Sequence, residues 1–404
     1  MDQQIQYPIG PYNCSRADLN RILGQFPPLR TIADAVKIKG PFDGKINSIY
    51  RIDRATGDSV IFRTRISRAF RYEPIVKEKI LYPFLNGTLR SDTPDLELRM
   101  REILTRLEGS YQFTADHPPI VPVQDLLYYY EPALNSPIPL DTPCTPQQIY
   151  PPAPFPFLLT IKNYLPGRSL YEILQEIPQQ AKNGAAIRTA METLGQTLAR
   201  LHSIRFDAFY DKITEIGIPS KRLAWRELFE GQWRANLRDA AQYRAFQPFI
   251  SGIEKFYRTH KDLVGEETEP VLFHNDYQSQ NVLFEVDPDR SWDAEHKLTL
   301  TGVIDFDNWR IGPRAQDFVK IEYWTIQDNS AWLDAFYRGY HAIHPITKDL
   351  KAQIQIYKLL WFMLVYAFEM DKVKKQEVNA TVDARFPAAE KYLPEIQKII
   401  ADYC

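Results

Sequence analysis

Polar side chains interrupt an otherwise apolar stretch in the second half of the chain. Residues 271–273, Val-Leu-Phe, lead into His274 and Asp276, and Asn281 stands immediately before a second apolar run, 282–284. Short runs of β-branched and aromatic residues bounded by turn-forming residues predict buried strands. The sequence therefore predicts two buried strands joined by a short loop that presents a histidine, a carboxylate and a carboxamide together. Any fold of this chain must bury both strands and still leave the loop accessible.

A third apolar run, residues 298–303, predicts another buried strand, and it delivers Asp305 at its C-terminal end. Carboxamide and carboxylate oxygens are hard ligands of the kind that Mg²⁺ takes together with waters and phosphate oxygens. We therefore predict that Asn281 and Asp305 bind Mg²⁺ and that Asp276 accepts or orients the proton of an attacking hydroxyl group. Phosphoryl transfer needs mainly positioning and charge neutralisation, which such a set supplies.

His274 is expected to hydrogen-bond neighbouring backbone or the Asp305 region and so to hold the shape of the loop. Each of these residues also has an ordinary structural role at turns when it occurs alone. The prediction of catalysis depends on their combination with the flanking strands.

The chain changes character near residue 163. Apolar alternation in residues 46–52 and 59–62 predicts a β-hairpin, and residues 118–130 and 157–163 read as strands. A helix is predicted for residues 75–85, a helix-like piece for 96–107, and a proline-rich insertion for about 131–156. After residue 164 the helical spacing dominates, as in 186–204, 225–257, 330–340 and 348–375. We predict an α+β, two-lobed fold with a β-rich N-lobe, 1–163, and a mainly helical C-lobe, 164–404.

Composition restricts the compartment and the partners. With a formal net charge of −2 and 44% apolar residues in 404, the chain reads as globular, with no bulk charge that favours nucleic acid or a membrane surface. Its most apolar run, 359–368, is about half of the ~20 residues that a membrane span needs. Three scattered cysteines and no secretory pattern at the N-terminus predict a reducing, cytoplasmic location.

Two motifs carry a resemblance to a known family. HNDYQSQNVLF, residues 274–284, resembles the catalytic loop of the aminoglycoside phosphotransferase and choline kinase-like families, and GVIDFDNWRIGPRAQDF, 302–318, resembles their metal-binding strand and the segment after it. GKINSIYRI, YLPGRSL and LGQTLARLHSI resemble supporting segments of the same family. The resemblance implies a protein kinase-like fold and a small-molecule kinase. Such an enzyme transfers the γ-phosphoryl of ATP, with GTP as the alternative, to a hydroxyl of a small metabolite or antibiotic.

The resemblance also implies nucleotide-binding residues in the N-lobe. Gly44 and Asn47 correspond to the glycine-containing nucleotide loop. Arg63 occupies the position where the family usually has a phosphate-contacting lysine, and it keeps the charge with a forked donor. Arg65 is a rival for this role.

Three further assignments follow from the same resemblance. Glu78 would pair with the cation and position it, with Glu73 as its rival. The backbone of the hinge around Ile161 and Asn163 would bind the nucleotide base. Asp317 would take a structural role, bonding backbone near the catalytic loop.

The resemblance also implies that the C-terminal helices build the acceptor site. The acidic and aromatic candidates there are Glu322, Trp324, Asp328, Trp361, Glu369 and Asp371, and the acids would suit an amine-bearing acceptor such as an aminoglycoside, choline or ethanolamine. Asp307 is a second acid near the metal site that could bind metal or line the acceptor site. A catalytically silent pseudokinase or nucleotide-binding scaffold is one alternative. A kinase of protein substrates is another, although the chain lacks the D-F-G triplet and a clear A-P-E segment.

Overall fold

The computed structural model of the chain describes residues 10–11, 35–42, 48–54, 57–66, 81–82, 85–86, 104–107, 121–130, 158–206, 208–210, 222–265, 269–377 and 387–403. The strands in chain order are β1 Gly10–Pro11, β2 Ala35–Phe42, β3 Ser48–Arg54, β4 Ser59–Ile66, β5 Leu104–Leu107, β6 Leu126–Tyr130, β7 Leu158–Asn163, β8 Arg168–Ser169, β9 Ile204–Phe206, β10 Pro270–Phe273, β11 Val282–Val286, β12 Leu298–Val303 and β13 Arg310–Pro313.

The α-helices in chain order are α1 Leu170–Glu176, α2 Ala185–His202, α3 Trp225–Ala240, α4 Ile250–His260, α5 Ala315–Lys320, α6 Ser330–His341, α7 Lys348–Glu377, α8 Pro387–Glu390 and α9 Tyr392–Tyr403. A π-helix, Ile321–Ile326, continues α5 without a break.

The N-terminal half contains an antiparallel sheet in the order β2-β3-β4-β7-β6, with β1 paired to β4. Strands β3 and β4 form the predicted hairpin, in a register that places Asp53 opposite Ser59. Alternate residues of this hairpin, including Tyr50 and Phe62, are buried on one sheet face, as a half-buried strand requires. The strand predicted in 118–130 is confirmed over its last five residues as β6, and the strand predicted in 157–163 is confirmed as β7.

The helical half is built around α2. Its stripe of Ile187, Met191, Leu194, Leu198 and Leu201 is fully buried, which confirms the core helix that the spacing predicts. Helix α6 packs directly against α2. The helices predicted in 225–257, 330–340 and 348–375 are confirmed as α3 with α4, α6 and α7.

Two small sheets support the loop that carries the polar cluster. Strands β10 and β13 pair in an antiparallel sheet that β9 and β5 extend, and β11 pairs with both β12 and β8. The helix-like piece predicted for 96–107 is wrong over 104–107, which form strand β5 with Leu104 opposite Phe206 of β9. Pairing with a strand about a hundred residues away overrides the local helical propensity of this segment.

These elements confirm the α+β class. The large sheet lies before residue 164, and the helices listed above lie after it. Strand β5 nevertheless joins a sheet of the helical half, so the division at 163 and 164 stays a prediction. The proposed insertion, 131–156, lies outside the described residues, as does most of the helix predicted for 75–85. Within the described ranges, no helix combines the length and apolar character that a membrane span requires.

Candidate active site

The loop between β10 and β11 holds Asp276 in a network of donors. The side-chain amide of Asn281 donates to the Asp276 carbonyl oxygen at 2.8 Å and to its Oδ2 at 3.2 Å. Gln278 Nε2 donates to Asp276 Oδ1 at 3.0 Å. Asn275 takes up the left-handed conformation, with a φ of 63°, which asparagine tolerates better than most residues. The loop thereby turns sharply enough to present the carboxylate of Asp276 beside Asn281.

The pairing of β11 with β12 brings Asp305 to the same place. Val282 is opposite Val303, and the N–H of Ile304 donates to the carbonyl oxygen of Asn281 at 2.9 Å. Asp305 follows at once and adopts a φ of 63°. The backbone thus places Asn281 and Asp305 at the adjacent ends of two paired strands, with Asp276 bonded to Asn281.

His274 ties the two strand ends together. It is fully buried, its Nε2 lies 2.9 Å from the carbonyl oxygen of Ile304, and its Nδ1 lies 3.2 Å from the backbone nitrogen of Asp276. A carbonyl oxygen can only accept, so Nε2 carries the hydrogen and Nδ1 accepts from the Asp276 N–H. Hydrogen bonding of His274 to neighbouring backbone or to the Asp305 region was predicted, and the structure shows both.

Asp317 on α5 anchors the beginning of the loop. One carboxylate oxygen accepts from the backbone N–H of His274 and the other from that of Asn275, each at 2.6 Å. The side chain of Asp317 is buried and also lies 3.3 Å from Nε2 of His202. The backbone bonding that the family resemblance implies for Asp317 is therefore confirmed.

His202 and Tyr340 complete the surroundings of this carboxylate. Nδ1 of His202 is 2.8 Å from the hydroxyl of Tyr340. Burial lowers the pKa of His202, and the hydrogen bond to Asp317 opposes this shift without reversing it. A histidine held in this way donates from Nε2 to Asp317 and accepts from Tyr340.

Lys320 is a site residue that the sequence reasoning missed. Its Nζ donates to the carbonyl oxygen of Asn275 at 2.9 Å and to Oδ1 of Asp276 at 2.8 Å. The ammonium group therefore holds the backbone of the loop and the carboxylate at once. Lys320 stands three residues after Asp317 on α5, and residues at this spacing share a helix face. That spacing is the signal by which the sequence could have pointed to it.

The side-chain oxygens of Asn281 and Asp305 at the strand ends suit a hard cation that keeps part of its hydration shell. The Nδ2 group of Asn281 is used in the loop, so Oδ1 is its ligand atom, and Asp305 adds a carboxylate. Within the described residues, no group of three His, Cys, Asp or Glu side chains converges as a metal cage. Mg²⁺ does not need one, because waters and substrate phosphates complete its shell. The side chain of Asp307 lies outside the described part, so its role stays a prediction.

Arg63 lies on β4 opposite Thr160 of β7. Because directly paired and alternate residues share a sheet face, Arg63 is on the same face as Lys162. Lys162 is buried, and its Nζ lies 3.2 Å from the hydroxyl of Tyr82. The Tyr82 ring in turn lies 6.0 Å from that of Phe306, the residue after Asp305. This sheet face therefore looks toward the metal-site strand, and Lys162 is a second cation there that sequence reasoning missed.

The hinge residues Ile161 and Asn163 lie inside the paired strand β7. The N–H of Asn163 donates to the carbonyl oxygen of Asp125, and its own carbonyl oxygen accepts from Nε2 of Gln124 at 3.1 Å. A nucleotide base would have to share these groups, so the base-binding role of Ile161 and Asn163 stays a prediction. Gly44, Asn47, Glu78 and Glu73 lie outside the described residues, as does the side chain of Arg65.

The acceptor candidates do not converge on one site. Trp361 lines a cavity of about 440 Å³ together with Asn275 and Lys320, next to the catalytic loop. Glu322, Trp324 and Asp328 line another cavity, of about 500 Å³. Neither cavity is lined by Glu369 or Asp371, and Asp371 accepts from the Tyr243 hydroxyl.

Comparison with known proteins bears directly on this arrangement. The model of the phosphotransferase enzyme family matches residues 100–351, well over half of the chain, including the whole polar loop and the strand before Asp305. The chain belongs to the phosphotransferase enzyme family. The predictions of this family and of a phosphotransferase are therefore confirmed. A search of curated proteins finds no match.

One solved structure among those that resemble this chain has a TM-score above 0.5, and it agrees with the family in fold. An aminoglycoside phosphotransferase, solved as a thermostable mutant with AMP-PNP and hygromycin B, superposes with a TM-score of 0.53 at 10% identity, covering 91% of this chain and 93% of that one. An amicoumacin kinase with AMP-PNP and Ca²⁺ gives a TM-score of 0.47 at 14% identity, covering 95% of each chain. A macrolide 2'-phosphotransferase from Brachybacterium faecium gives 0.44 at 13% identity, covering 87% and 94%. This phosphotransferase-family chain has the predicted protein kinase-like fold.

Proposed function

We propose that this protein is a Mg²⁺-dependent small-molecule kinase that transfers the γ-phosphoryl of ATP, with GTP as the alternative donor, to a hydroxyl group. Asp276 is the catalytic carboxylate in this proposal. The bond between the γ-phosphorus and the bridging oxygen breaks, a bond to the acceptor oxygen forms, and the hydroxyl proton passes to Asp276. The nucleoside diphosphate leaves.

One observation carries the proposal. The hydrogen bond from the Ile304 N–H to the carbonyl oxygen of Asn281, at 2.9 Å, joins the metal-site strand to the catalytic loop. A second bond, from Asn281 Nδ2 to Asp276 Oδ2 at 3.2 Å, links the candidate ligand to the candidate base. A metal-bound triphosphate at Asn281 and Asp305 would therefore lie within reach of a hydroxyl oriented by Asp276.

The bound cation would neutralise charge that develops on the transferred phosphoryl group and on the leaving diphosphate. The protein's own contribution is to hold the ligands still. His274 fixes the distance between the two strand ends, and Asp317 fixes the start of the loop through two backbone amides. Both are positioning residues in this scheme.

The nucleotide would lie between the large sheet and the polar loop. Arg63 is the proposed phosphate contact, because the sheet face that it shares with Lys162 looks toward Phe306. Gly44 and Asn47 are proposed for the nucleotide loop, Glu78 for pairing with Arg63, and the end of β7 for the base. The amicoumacin kinase and the aminoglycoside phosphotransferase were solved with a nucleotide analogue, and their overall similarity supports a nucleotide as the phosphoryl donor here.

The first experiment changes Asp276 to Asn. Turnover of radiolabelled ATP against a panel of alcohols, aminoglycosides, macrolides and sugars should fall by about 10²- to 10⁴-fold, the usual contribution of a general base. Binding of Mg²⁺–ATP, measured by titration calorimetry, should change little. The matched control is Asp289→Asn, an exposed aspartate in the hairpin between β11 and β12, which should keep wild-type turnover.

The second experiment changes Asp305 to Ala. Binding of Mg²⁺–ATP should weaken, whereas binding of metal-free ATP should change much less. Wild-type protein that binds Mg²⁺–ATP but transfers nothing across the panel would contradict the kinase proposal and favour a catalytically silent nucleotide-binding protein. Equal transfer rates in wild type and Asp276→Asn would refute the assignment of the base.

A further inference from the structure

The cavity of about 440 Å³ beside the catalytic loop adjoins the proposed base. Its wall includes Asn275 and Lys320, and the Nζ of Lys320 lies 2.8 Å from Oδ1 of Asp276. Helices α3, α5 and α7 enclose the rest of it. A molecule in this cavity would place a hydroxyl group near Asp276 without passing through the nucleotide side of the loop.

The uncompensated charge on the described wall of this cavity is positive. Among the described lining residues, Arg310 and Lys320 are cations and Asp317 is the carboxylate, and Lys320 is paired with Asp276 at 2.8 Å. Asp317 is 2% exposed, and its oxygens are taken by two backbone amides and His202. Arg310 is exposed on β13 and has no ion-pair partner among the residues that the structure describes. The cavity therefore offers an available guanidinium and no available carboxylate on its described wall.

The uncharged polar groups of the wall are carboxamides, which hydrogen-bond hydroxyl groups well. Gln232, Asn236 and Gln316 line the cavity from α3 and α5. The Oε1 atom of Gln316 is buried and has no hydrogen-bond partner among the residues that the structure describes. A buried acceptor without a donor is unfavourable by about 1–3 kcal/mol. Because this oxygen has almost no accessible surface, the carboxamides that a ligand in the cavity can reach are those of Gln232 and Asn236.

An apolar surface on α7 forms the opposite side. Leu360, Trp361 and Leu364 line the cavity, and Leu364 is 51% exposed. Phe368, one turn further along the helix, is 56% exposed. Exposed apolar residues at this spacing continue the cavity wall outward as one stripe. Covering such a stripe favours a ligand with an apolar portion.

We propose that the phosphoryl acceptor of this protein is a hydroxyl compound that carries a negatively charged group and an apolar portion, and that Arg310 binds the negative group. This inference rests on the proposed kinase function and narrows its substrate class. A polycationic acceptor is disfavoured, because its ammonium groups would meet the guanidinium of Arg310 and would find no available carboxylate on the described wall. The acidic residues on which an amine-bearing acceptor would depend, Glu322 and Asp328, line the other cavity.

The test uses acceptors that share one apolar body and differ in charge. Phenyllactate is the anionic member, its diol counterpart carries a hydroxymethyl group in place of the carboxylate, and its amino alcohol counterpart carries an aminomethyl group there. An aminoglycoside serves as the polycation, and larger anionic, neutral and cationic alcohols extend each class. Transfer from radiolabelled ATP should give kcat/KM values that fall from anionic to neutral to cationic acceptors.

Arg310→Glu and Arg310→Gln identify the residue responsible. Each should lower kcat/KM for the anionic acceptors by about tenfold or more, the size expected for a lost charged hydrogen bond, and leave the neutral acceptors within about threefold. The loss should be in the acceptor KM, with the KM for ATP unchanged. Arg244→Glu is the matched control, since Arg244 is exposed outside the cavity, and it should alter neither ratio.

Opposite results overturn the inference. Preferred transfer to cationic acceptors would do so, as would a lack of transfer to every anionic and neutral acceptor, or an Arg310 effect confined to the KM for ATP. Failure of the proposed function looks different. If no acceptor class receives phosphate and ATP hydrolysis equals that of Asp276→Asn, the protein is not a kinase, and the acceptor inference fails with it.

Discussion

Replacing Asp317 with Asn tests whether one buried carboxylate sets the shape of the catalytic loop. The wild-type oxygens accept from the N–H groups of His274 and Asn275, both at 2.6 Å. Asparagine keeps the volume of the side chain but has a single acceptor oxygen, and its NH₂ group donates. One of the two backbone N–H groups would therefore face another donor in a buried position.

The magnitude follows from these contacts. A hydrogen bond to a charged group contributes about 1.5–3 kcal/mol, and a buried donor left without a partner is unfavourable by about 1–3 kcal/mol. Partial relaxation of the loop recovers some of this sum, so we expect the free energy of unfolding to fall by about 3 kcal/mol. For a cooperative unit of about 150–250 residues, that corresponds to a drop in Tm of about 6–12 °C.

Differential scanning calorimetry of wild type, Asp317→Asn and the exposed control Asp289→Asn measures this shift. Turnover of Asp317→Asn should also be lower than that of the wild type, even at assay temperatures below the Tm of the mutant. The reason is that Asn275 and Asp276 lose their fixed orientation. The reasoning is refuted if the Tm of Asp317→Asn lies within about 2 °C of that of the control. The reasoning is also refuted if Asp317→Asn keeps wild-type turnover.

Three further predictions follow from the described contacts. Gly195→Ala should destabilise the protein by several kcal/mol, because the added Cβ would meet the backbone of α6. Gly231→Ala should stabilise the protein by about 0.5–1 kcal/mol, because the space around Gly231 is open. Thermal melts of the two variants and the wild type measure both effects. Burial lowers the pKa of His202 in the folded state. The stabilising contribution of neutral His202 is therefore complete above about pH 6.5, the pKa of a histidine in the unfolded chain, and it declines at lower pH by up to about 1.4 kcal/mol per pH unit. His202→Gln should flatten the pH dependence of Tm. Lys320→Ala should cut turnover about 10- to 100-fold by freeing Asp276, with a Tm change under about 3 °C because the pair is partly exposed.

Local pattern was sufficient for the strands and helices that bury a regular face. The hairpin of β3 and β4 and the core helix α2 follow from periods of two and 3.6 residues, which are visible in any window of the sequence. Strand β5 was predicted as part of a helix-like piece, since nothing near residues 104–107 indicates the distant partner β9. Pairing between remote segments is a property of the whole chain and leaves little local trace.

The residues of the candidate active site also fall into those that local sequence predicts and those that it does not. Asp276, Asn281 and Asp305 stand at the ends of predictable strands, so their approach could be anticipated from strand boundaries. The spacing of Lys320 from Asp317 indicates a shared helix face but not the partner of the lysine, and a lysine inside a strand, such as Lys162, has many ordinary explanations. What identifies them is a partner far away in sequence: Lys320 lies against Asp276, and Lys162 against Tyr82.

The contacts of Asp317 explain why a loop with so many polar residues can be held in one geometry. Its carboxylate binds the backbone of His274 and Asn275, and the side chain of His274 then binds the backbone of residue 304. Each step uses a backbone group whose position does not depend on side-chain rotamers, so little conformational entropy remains to be lost when a substrate binds. Position along this chain of contacts also predicts the kind of damage a substitution causes. Changes at Asp317 should reduce stability and turnover together, whereas changes at Asp276, where the chain of contacts ends at the proposed base, should reduce turnover alone.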